Sequence, residues 1–567
     1  LTASIPELTA YQYMVSQNKD NLNTKSIIYY GKKISYKAFI DMIDETAKRL
    51  YNLGVMEGEV VTVMSIANPE LEILFYALNK LGAIINLIDV RSDYRQIKKY
   101  LKEVKSSTVV VMDNFLPEFD KCMEDEEIDN IVENVITLSP FNSVLFPFNV
   151  LAEKKARKED STLYSKIDVV KKKDKYMTWN DLMNVFKYRC PRYPRYKKDM
   201  VAALVHTGGT TGVPKTVKLS NENFNAMAIQ YKSLNANYNK GDTFLNGIVP
   251  FVAYGIVVTI HMPMCLGMTN IIAPILSPKE FTDFMIKYKP NHTVTVPTYV
   301  EHFVHDKKAN SMNWKCLKNL GIGGDYFSEQ SEIYVNEFLK RHGSSSIAEK
   351  GYGMTENSAT AGVCLVGVNK INSLGIPLPL NTYGIFERGS DKELKYGEEG
   401  EICITGPTEM LGYLNNKEEE DNVIKVHSDG KRWIHSEDVG LIDEDGFLFF
   451  KGRYKRLIPH GGFKLYPSYI EGVIMEHPDI DSCCVIPIPD KVYGASLEAH
   501  IVARKDKIRE LKKLKEELIE LCQDKLPSYS QLEDFIFEED LPLTSVGKVD
   551  YKKVEKMRIK KLEEGIK

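Results

Sequence analysis

The order of apolar and polar positions predicts helices and strands in turn along the first ninety residues. Residues 36–54 (YKAFIDMIDETAKRLYNLG) carry apolar side chains at helical spacing and stop at Gly54. GEVVTVMSIAN then reads as an apolar strand, and PELEILFYALNKLGAIINLID repeats a helix and a strand. Such alternation is typical of mostly parallel sheets covered by helices on both faces. The pattern therefore predicts an α/β fold with a large N-terminal region of this kind.

One long uncharged segment needs a separate interpretation. No residue from Thr243 to Pro278 is charged, and the segment is long enough to cross a bilayer. Prolines and glycines interrupt it, among them Pro250, Pro263, Pro274, Gly255 and Gly267. The interruptions favour a buried helix followed by a buried strand, and no membrane span is expected.

Composition adds limits on partners and compartment. The chain is 43% hydrophobic and has a formal net charge of -4, so it lacks the basic excess that favours nucleic acid or anionic membranes as partners. Nine cysteines are scattered without a CxxC pair, which favours a reducing compartment. The N-terminal residues show no signal-peptide pattern, and a cytoplasmic location is expected.

A composition break divides the chain. At 567 residues the chain is too long for one core. GRYKRLIPHGG (452–462) combines clustered basic residues with a proline and two glycines, which is typical of a joint between domains. We predict an N-terminal region of residues 1–454 and a smaller, mobile α+β C-terminal domain of residues 455–567.

The stretch HTGGTTGVPKTVKLS (206–220) is rich in glycine, threonine and lysine. A P-loop of the nucleotide triphosphatases requires lysine directly after its last glycine, whereas Val213 and Pro214 separate Gly212 from Lys215. Strand-like runs flank the loop, so its amides and hydroxyls could still surround a polyphosphate. A simple hairpin turn is the alternative, although it would not need this density of polar donors.

TGGTTGVPK resembles the phosphate loop of the adenylate-forming superfamily, which includes acyl- and aryl-CoA synthetases, peptide-synthetase adenylation domains and firefly-type luciferases. The family pattern is roughly [ST]SGTTGxPKG; here Gly208 stands where serine is usual and Thr216 where glycine is usual. The resemblance implies that the loop binds ATP phosphates through Thr207, Gly208, Gly209, Thr210, Thr211, Gly212 and Lys215.

Four further stretches match the family in the correct order: IGGD (322–325), GYGMTE (351–356), HSEDVGLIDEDGFLFFKGR (435–453) and PLTSVGKVD (542–550). The resemblance covers nearly the whole chain and is weakest over residues 115–198. It implies catalytic roles for Thr355, Glu356 and Lys548, with Glu356 also holding Mg²⁺. It implies nucleotide or CoA contacts for Gly323, Gly324, Asp325, Gly351, Tyr352, Asp438, Arg453, Gly461 and Gly462, and a hinge at Lys455.

The implied reaction has two steps. A carboxylic acid attacks MgATP to give an acyl-adenylate and pyrophosphate, and the acyl group then passes to the thiol of CoA. The alternative is a stand-alone adenylation enzyme that loads the phosphopantetheine of a separate carrier protein, and a non-catalytic nucleotide-binding homologue is a third possibility. The expected cofactors are ATP, Mg²⁺ and CoA or that phosphopantetheine.

The acid pocket is expected to form from residues 251–255, 298–303, 323–325 and the stretch after Glu356. These segments are mostly apolar and favour a fatty or aromatic acid. The segment PFVAYG carries no aspartate to hold an ammonium group, which disfavours an amino acid substrate. Ala253 occupies the slot where the synthetases often carry histidine, and Tyr254 is expected to fill that space.

Three other side chains are candidates near this pocket. Lys350 precedes GYGMTE, and it either pairs with a second carboxylate of the substrate or, as we favour, points outward into solvent. Cys364 and His302 are candidate lining residues.

Overall fold

The computed structural model of the chain describes all residues except 1–3, 187–188, 208–213, 235, 276, 461–462, 491–493, 505–510, 544–548 and 565–567.

The strands in chain order are β1 Lys25–Tyr29, β2 Lys32–Ser35, β3 Val60–Met64, β4 Ile84–Leu87, β5 Thr108–Met112, β6 Asn134–Leu138, β7 Tyr176–Thr178, β8 Val201–His206, β9 Thr216–Ser220, β10 Thr243–Asn246, β11 Thr269–Ile271, β12 His292–Thr295, β13 Asn319–Ile322, β14 Ala348–Tyr352, β15 Gly362–Val363, β16 Ile376–Pro377, β17 Thr382–Phe386, β18 Gly400–Thr405, β19 Gly412–Tyr413, β20 Ile424–Val426, β21 Arg432–Ile442, β22 Leu448–Arg453, β23 Ile458–His460, β24 Phe463–Leu465, β25 Ile480–Asp490, β26 Gly494–Ala503 and β27 Asp534–Phe537.

The α-helices are α1 Ala10–Gln17, α2 Tyr36–Leu53, α3 Pro69–Leu81, α4 Tyr94–Val104, α5 Leu116–Asp120, α6 Glu126–Ile131, α7 Phe148–Glu159, α8 Ser161–Val170, α9 Trp179–Asn184, α10 Asn221–Ser233, α11 Met262–Cys265, α12 Pro278–Tyr288, α13 Pro297–His305, α14 Lys307–Asn310, α15 Glu329–Arg341, α16 Lys417–Val423, α17 Pro467–Met475, α18 Leu511–Lys525 and α19 Tyr551–Glu563. A π-helical segment covers Tyr254–His261, and 3-10 turns cover Asp113–Phe115, Lys121–Glu124, Thr355–Asn357, Tyr454–Arg456 and Ser528–Ser530.

Local sequence sets the ends of the first long helices. The Ser35 side chain accepts a hydrogen bond from the backbone N–H of Ala38 at the start of α2, and Gly54 ends that helix with φ of 120°. Asn68 caps α3 in the same way, and Gly82 ends it with φ of 73°. Each glycine takes a left-handed conformation that a side chain would disfavour. The predicted order of helices and strands in this region is confirmed, with β3 shorter than the apolar stretch 58–68 that predicted it.

Two large, mostly parallel sheets form the N-terminal part. The first has the order β19-β9-β8-β4-β3-β5-β6-β7, in which β9 and β19 are antiparallel additions. The second has the order β16-β15-β14-β13-β12-β10-β11-β1-β2. The largest buried cluster contains side chains from both sheets and from α2, α3, α10 and the π-helical segment. Helices therefore pack between the sheets, and the predicted α/β class is confirmed.

The uncharged segment 243–278 is buried as predicted. It supplies β10, the π-helical segment, α11 and β11, and the residues of these elements are almost all buried. Over the described parts of the chain, no helix combines the length and the apolar character that crossing a bilayer requires.

A smaller antiparallel sheet, β17-β18-β21-β20 with β22 beside β21, follows the two large sheets. Beyond it, β25, β26 and β27 form a three-stranded sheet that α17, α18 and α19 accompany. Two buried clusters draw their members from residues 458–554 alone among the described residues. This separate core is what a C-terminal domain requires, and the boundary at residue 454 stays a prediction.

Candidate active site

One cavity of about 830 Å³ lies at the carboxyl ends of parallel strands from both large sheets. Strands β8, β13 and β14 lead into it, and residues of β21 and β22 close another side. Open α/β sheets bind ligands at such strand ends. The volume is within the usual range of small-molecule sites.

The predicted phosphate loop connects β8 to β9, and its first and last described residues, Thr207 and Pro214 to Thr216, line this cavity. The Thr207 N–H donates to the Lys215 carbonyl at 2.9 Å, and the Lys215 N–H donates to Thr207 Oγ1 at 3.0 Å. These two bonds close the base of a strand–loop–strand unit, as predicted. Gly208, Gly209, Thr210, Thr211 and Gly212 lie outside the described residues.

Tyr413 contacts both Lys215 and Glu356. The Lys215 ammonium lies 4.8 Å from the Tyr413 ring centroid and 2.5 Å from Glu419 Oε2. The Tyr413 hydroxyl donates to Glu356 Oε1 at 2.7 Å. Tyr413 reaches this place because β19 pairs with β9. Burial and the Glu356 carboxylate raise the pKa of Tyr413, so the phenol stays a hydrogen-bond donor.

The GYGMTE stretch runs from β14 into the 3-10 turn Thr355–Asn357. A Cβ on Gly353 would lie 1.6 Å from the Ala359 carbonyl oxygen, so this position requires glycine. The backbone N–H of Met410 donates to the Glu356 carbonyl at 2.8 Å. The turn is therefore held from two sides, with Thr355 and Glu356 lining the cavity.

Tyr352, Asp438 and Arg453 form a connected group in the cavity wall. The Tyr352 hydroxyl donates to Asp438 Oδ2 at 2.8 Å, and Arg453 Nε lies 3.1 Å from Asp438 Oδ1. Asp438 and Arg453 are direct partners across β21 and β22. Burial, followed by the Asp438 charge, raises the pKa of Tyr352 well above its usual value. The group offers a carboxylate, a guanidinium and an aromatic face together.

A bulge in β21 aims Asp438 into the cavity. Glu437 has φ of 59° there, an uncommon conformation for a residue with a side chain. The buried Glu401 carboxylate bonds His435 Nδ1 at 2.9 Å and accepts from the Glu437 N–H at 3.1 Å. Burial alone would raise the pKa of Glu401, but these bonds leave it lowered. An ionised Glu401 thus holds the bulge in place.

A rigid polar wall stands beside the base of the loop. His206 stacks on Tyr100 with ring centroids 3.7 Å apart, and its Nε2 lies 2.9 Å from Asn86 Oδ1. Burial lowers the pKa of His206 to about 3, so the imidazole is neutral. The Thr216 hydroxyl donates to Glu103 Oε2 at 2.7 Å. Thr216, which stands where the family usually has glycine, therefore adds a side-chain hydrogen bond that a glycine could not make.

Comparison with known proteins settles the family. A family model described as AMP-binding enzyme matches residues 15–414, and one described as AMP-binding enzyme C-terminal domain matches residues 469–548. The chain belongs to the AMP-binding enzyme family. The resemblance inferred from the sequence is confirmed.

Individual relatives of this AMP-binding enzyme agree with that assignment. A long-chain-fatty-acid–CoA ligase of Bacillus subtilis is 27% identical over 92% of this chain and 90% of its own. A probable 4-coumarate–CoA ligase of Dictyostelium discoideum is 27% identical over 91% and 89%. The crystal structure of an anthranilate CoA ligase with anthranoyl-AMP superposes with a TM-score of 0.82 at 18% identity, covering 96% of each chain, which shows a shared fold.

Several predicted lining residues of this AMP-binding enzyme do reach the cavity. Ala253 and Tyr254 line it together with Val252, and Gly323, Gly324 and Gly351 do so as well. After Glu356, the lining continues with Ala359, Thr360, Val363 and Leu365. Lys455 also lines the cavity and pairs with Glu437 at 2.5 Å.

Other expectations for the pocket are wrong. Residues 298–303 lie outside the cavity lining, and His302 is exposed, with Nδ1 2.8 Å from the Thr282 hydroxyl. Cys364 is buried away from the lining, and its thiol donates to the Ser373 carbonyl. Asp325 is exposed and lies outside the lining, but its charge helps to raise the pKa of Arg453, and its nucleotide contact stays a prediction. Residues 298–303 belong to helix α13, and Val296, just before that helix, is the residue that lines the cavity.

Both interpretations of Lys350, pairing with a substrate carboxylate and pointing into solvent, are wrong. Its side chain is 4% exposed and pairs at 2.5 Å with Glu332 Oε2 of α15, which is fully buried. Successive side chains of β14 point to opposite faces, so Lys350 packs against α15 and Glu349 faces the cavity. Glu349 lies one residue further from the motif than Lys350, and strand alternation is the sequence signal that places it on the cavity face.

Lys548, Gly461 and Gly462 lie outside the described residues. Their assigned roles therefore stay predictions. Two residues that sequence reasoning missed, Tyr413 and Glu419, come from a strand and a helix that reach the loop only through the tertiary fold.

Proposed function

We propose that this AMP-binding enzyme is an ATP-dependent acid–CoA ligase. It joins a carboxylic acid to AMP with release of pyrophosphate, and then transfers the acyl group to CoA with release of AMP. The observation that carries the proposal is the shared cavity, in which the loop base at Thr207 and Lys215 meets Glu356, Asp438 and Arg453. The relatives named above as CoA ligases favour CoA as the acceptor.

The Tyr352 group supplies the nucleoside site. The Asp438 carboxylate accepts hydrogen bonds from ribose hydroxyls, Tyr352 offers a face for the adenine, and Arg453 contacts the ribose and phosphate region. Gly323, Gly324 and Gly351 leave room for the flat base because they carry no side chain. The contacts among Tyr352, Asp438 and Arg453 fix all three before a nucleotide arrives.

The part of the cavity wall that contains Thr207, Lys215, Thr355 and Glu356 supplies the phosphate site. Lys215 and the loop from Thr207 provide positive charge and donors, and the Thr355 hydroxyl provides another. Glu356 fits a magnesium ion because it is an oxygen donor facing the cavity, with one carboxylate oxygen bonded by Tyr413 and the other without a partner in the described part of the chain. When bound, Mg²⁺ neutralises phosphate charge.

The first step brings together two anions, the acid and the α-phosphate. A carboxylate oxygen attacks the α-phosphorus, and the bond to the pyrophosphate oxygen breaks. Neutralising and aligning the charges is the main demand on the protein. Lys215 and the proposed Lys548 meet that demand with fixed positive charge. No protein nucleophile is required, and the cavity lining includes no cysteine among the described residues.

The second step requires the C-terminal domain to move, as the resemblance implies. Two neighbouring ion pairs support a joint at Lys455. Lys455 pairs with Glu437 of the N-terminal part, whereas Arg456 forms a bidentate pair with Glu471 of the C-terminal part, at 2.6 and 3.0 Å. The chain is thus anchored to different bodies at successive residues, which supports the division into 1–454 and 455–567. The resemblance implies that Gly461 and Gly462 line the path of the thiol.

The test is pyrophosphate release from MgATP across fatty, aromatic, dicarboxylic and amino acids, with and without CoA. We expect release that depends on a fatty or aromatic acid and rises with CoA, together with formation of the CoA thioester. Release that CoA does not accelerate would instead indicate loading of a carrier protein. Absence of release with every acid would contradict the proposal.

A further inference from the structure

The far end of the cavity is polar. There β12, β13 and β14 run parallel, and the polar side chains that they contribute to the lining include His292, Asn319 and Glu349. All three are buried, and Glu349 is 3% exposed. Glu349 precedes Gly351 by two residues, which places it about 7 Å deeper along the strand. A simple hydrocarbon pocket would not carry a carboxyl group at this depth.

A chain of hydrogen bonds fixes the orientation of the Glu349 carboxyl group. His292 Nε2 lies 2.9 Å from Asp242 Oδ2, and its Nδ1 lies 2.7 Å from Asn319 Oδ1. The Asn319 amide then donates to Glu349 Oε1 at 2.8 Å. In the part of the chain that the structure describes, no donor reaches the other oxygen, Oε2. One oxygen is therefore held in place and left for another partner, and it acts only as an acceptor when the carboxyl group is ionised.

The surroundings leave space for a ligand beside that oxygen. Tyr231, Tyr238 and Tyr254 line the same end, and within the described ranges neither Tyr238 nor Tyr254 uses its hydroxyl in a hydrogen bond. Gly321 lies on the strand between Asn319 and Gly323, where a Cβ would come within 2.7 Å of Val294 Cγ1. The absence of a side chain there keeps the floor of the cavity open.

A second buried glutamate, Glu72, lies outside the cavity and serves as a comparison for Glu349. Glu72 is 1% exposed, and the Asn270 amide contacts both of its oxygens at 3.2 and 3.5 Å. Burial raises the pKa of both Glu72 and Glu349 to about 8. The two residues differ in position, because Glu72 lies outside the cavity lining whereas Glu349 forms part of it.

We propose that Glu349 recognises a hydroxyl or amino group at the far end of the acid, so that the substrate is an acid carrying such a donor and not a plain hydrocarbon acid. This inference rests on the proposed ligase function. A substrate without the donor would fill the cavity but leave the buried acceptor unpaired, which costs on the order of 10- to 100-fold in kcat/KM.

The experiment compares matched acids in acid-dependent ATP–pyrophosphate exchange at pH 8.5, above the pKa of about 8 that burial gives Glu349, so that its carboxyl group is mainly the ionised acceptor. One aromatic set is cinnamic acid with its 4-hydroxy and 4-amino derivatives, and one aliphatic pair is a fatty acid with its ω-hydroxy derivative. In the wild type we expect the donor-bearing acid of at least one set to exceed its parent about tenfold or more in kcat/KM. The hydroxy and amino members show which donor is preferred.

Glu349→Gln replaces the free acceptor by an NH₂ group while keeping the shape, so we expect the ratio to fall to about one with the KM for ATP unchanged. Glu72→Gln is the matched control and should keep the wild-type ratio. Equal kcat/KM within every set in the wild type, or an unchanged ratio in Glu349→Gln, would overturn the inference. If Glu349→Gln fails to fold, the wild-type ratios decide alone. Absence of exchange with every acid tested would contradict the ligase proposal instead.

Discussion

Glu356→Gln is expected to lower acid-dependent pyrophosphate release about 10²- to 10³-fold, the cost of losing one preorganised charged contact. The amide keeps an oxygen that can accept the hydrogen bond from the Tyr413 hydroxyl, so the local packing should survive. What it lacks is the negative charge that suits Mg²⁺. Steady-state rates over a range of Mg²⁺ concentrations measure the effect, and the Mg²⁺ requirement should rise in the variant.

Tyr413→Phe is the companion to that variant. It removes the hydrogen bond to Glu356 but leaves the carboxylate, so its effect should be smaller, within about tenfold. A loss in Tyr413→Phe as large as that in Glu356→Gln would show that the orientation of the side chain, and not its charge, is the decisive property. An unaltered rate in Glu356→Gln would remove this residue from the account of catalysis.

Lys548→Ala is expected to separate the two half-reactions. Acyl-adenylate formation should fall about 10²- to 10³-fold, because the role proposed for the lysine is to neutralise charge as the α-phosphate is attacked. Thioester formation from supplied acyl-adenylate and CoA should stay within about tenfold of the wild type, since the proposed domain movement removes the lysine before that step. Single-turnover measurements of each half-reaction check the split.

Lys556→Ala is the matched control for that experiment. It removes an exposed lysine from α19, a few residues beyond Lys548, and both half-reactions should remain at wild-type rates. If Lys548→Ala slowed both half-reactions equally, the lysine would serve the fold or both chemical steps, and the proposed domain movement would lose its main support.

The large features of the fold follow from local patterns. Helix α3 begins at Asn68 and Pro69 and ends at Gly82, and each of these residues favours that position whatever the rest of the chain does. The uncharged segment 243–278 was assigned to the core because prolines and glycines interrupt it. The strand–loop–strand form of the glycine-rich stretch followed from the apolar runs on either side.

The contacts that complete the site depend on distant pairing. Tyr413 contacts Glu356 and Lys215 because a two-residue strand adds to β9, about two hundred positions earlier in the chain. No local periodicity encodes that pairing. His302 was misplaced for a related reason, since the direction of α13 depends on the helices packed against it.

Strand alternation predicts which faces Glu349 and Lys350 occupy. With Gly351 on the cavity face, it places Glu349 on the same face and Lys350 on the other. The buried partner of Lys350, Glu332, lies on α15 and is invisible in the local sequence. Alternation therefore predicts which residue faces the substrate, while the ion pair behind the sheet requires the structure.

The most direct test of the central claim follows the oxygen atoms of the acid. A substrate with oxygen-18 in both carboxylate positions is turned over with MgATP and CoA, and the nucleotide products are analysed by mass spectrometry. Attack of the carboxylate on the α-phosphate predicts AMP carrying one oxygen-18 atom per turnover, because the bridging oxygen leaves with AMP when the thiol attacks. Label in inorganic phosphate with formation of ADP, or AMP without label, would contradict the acyl-adenylate route.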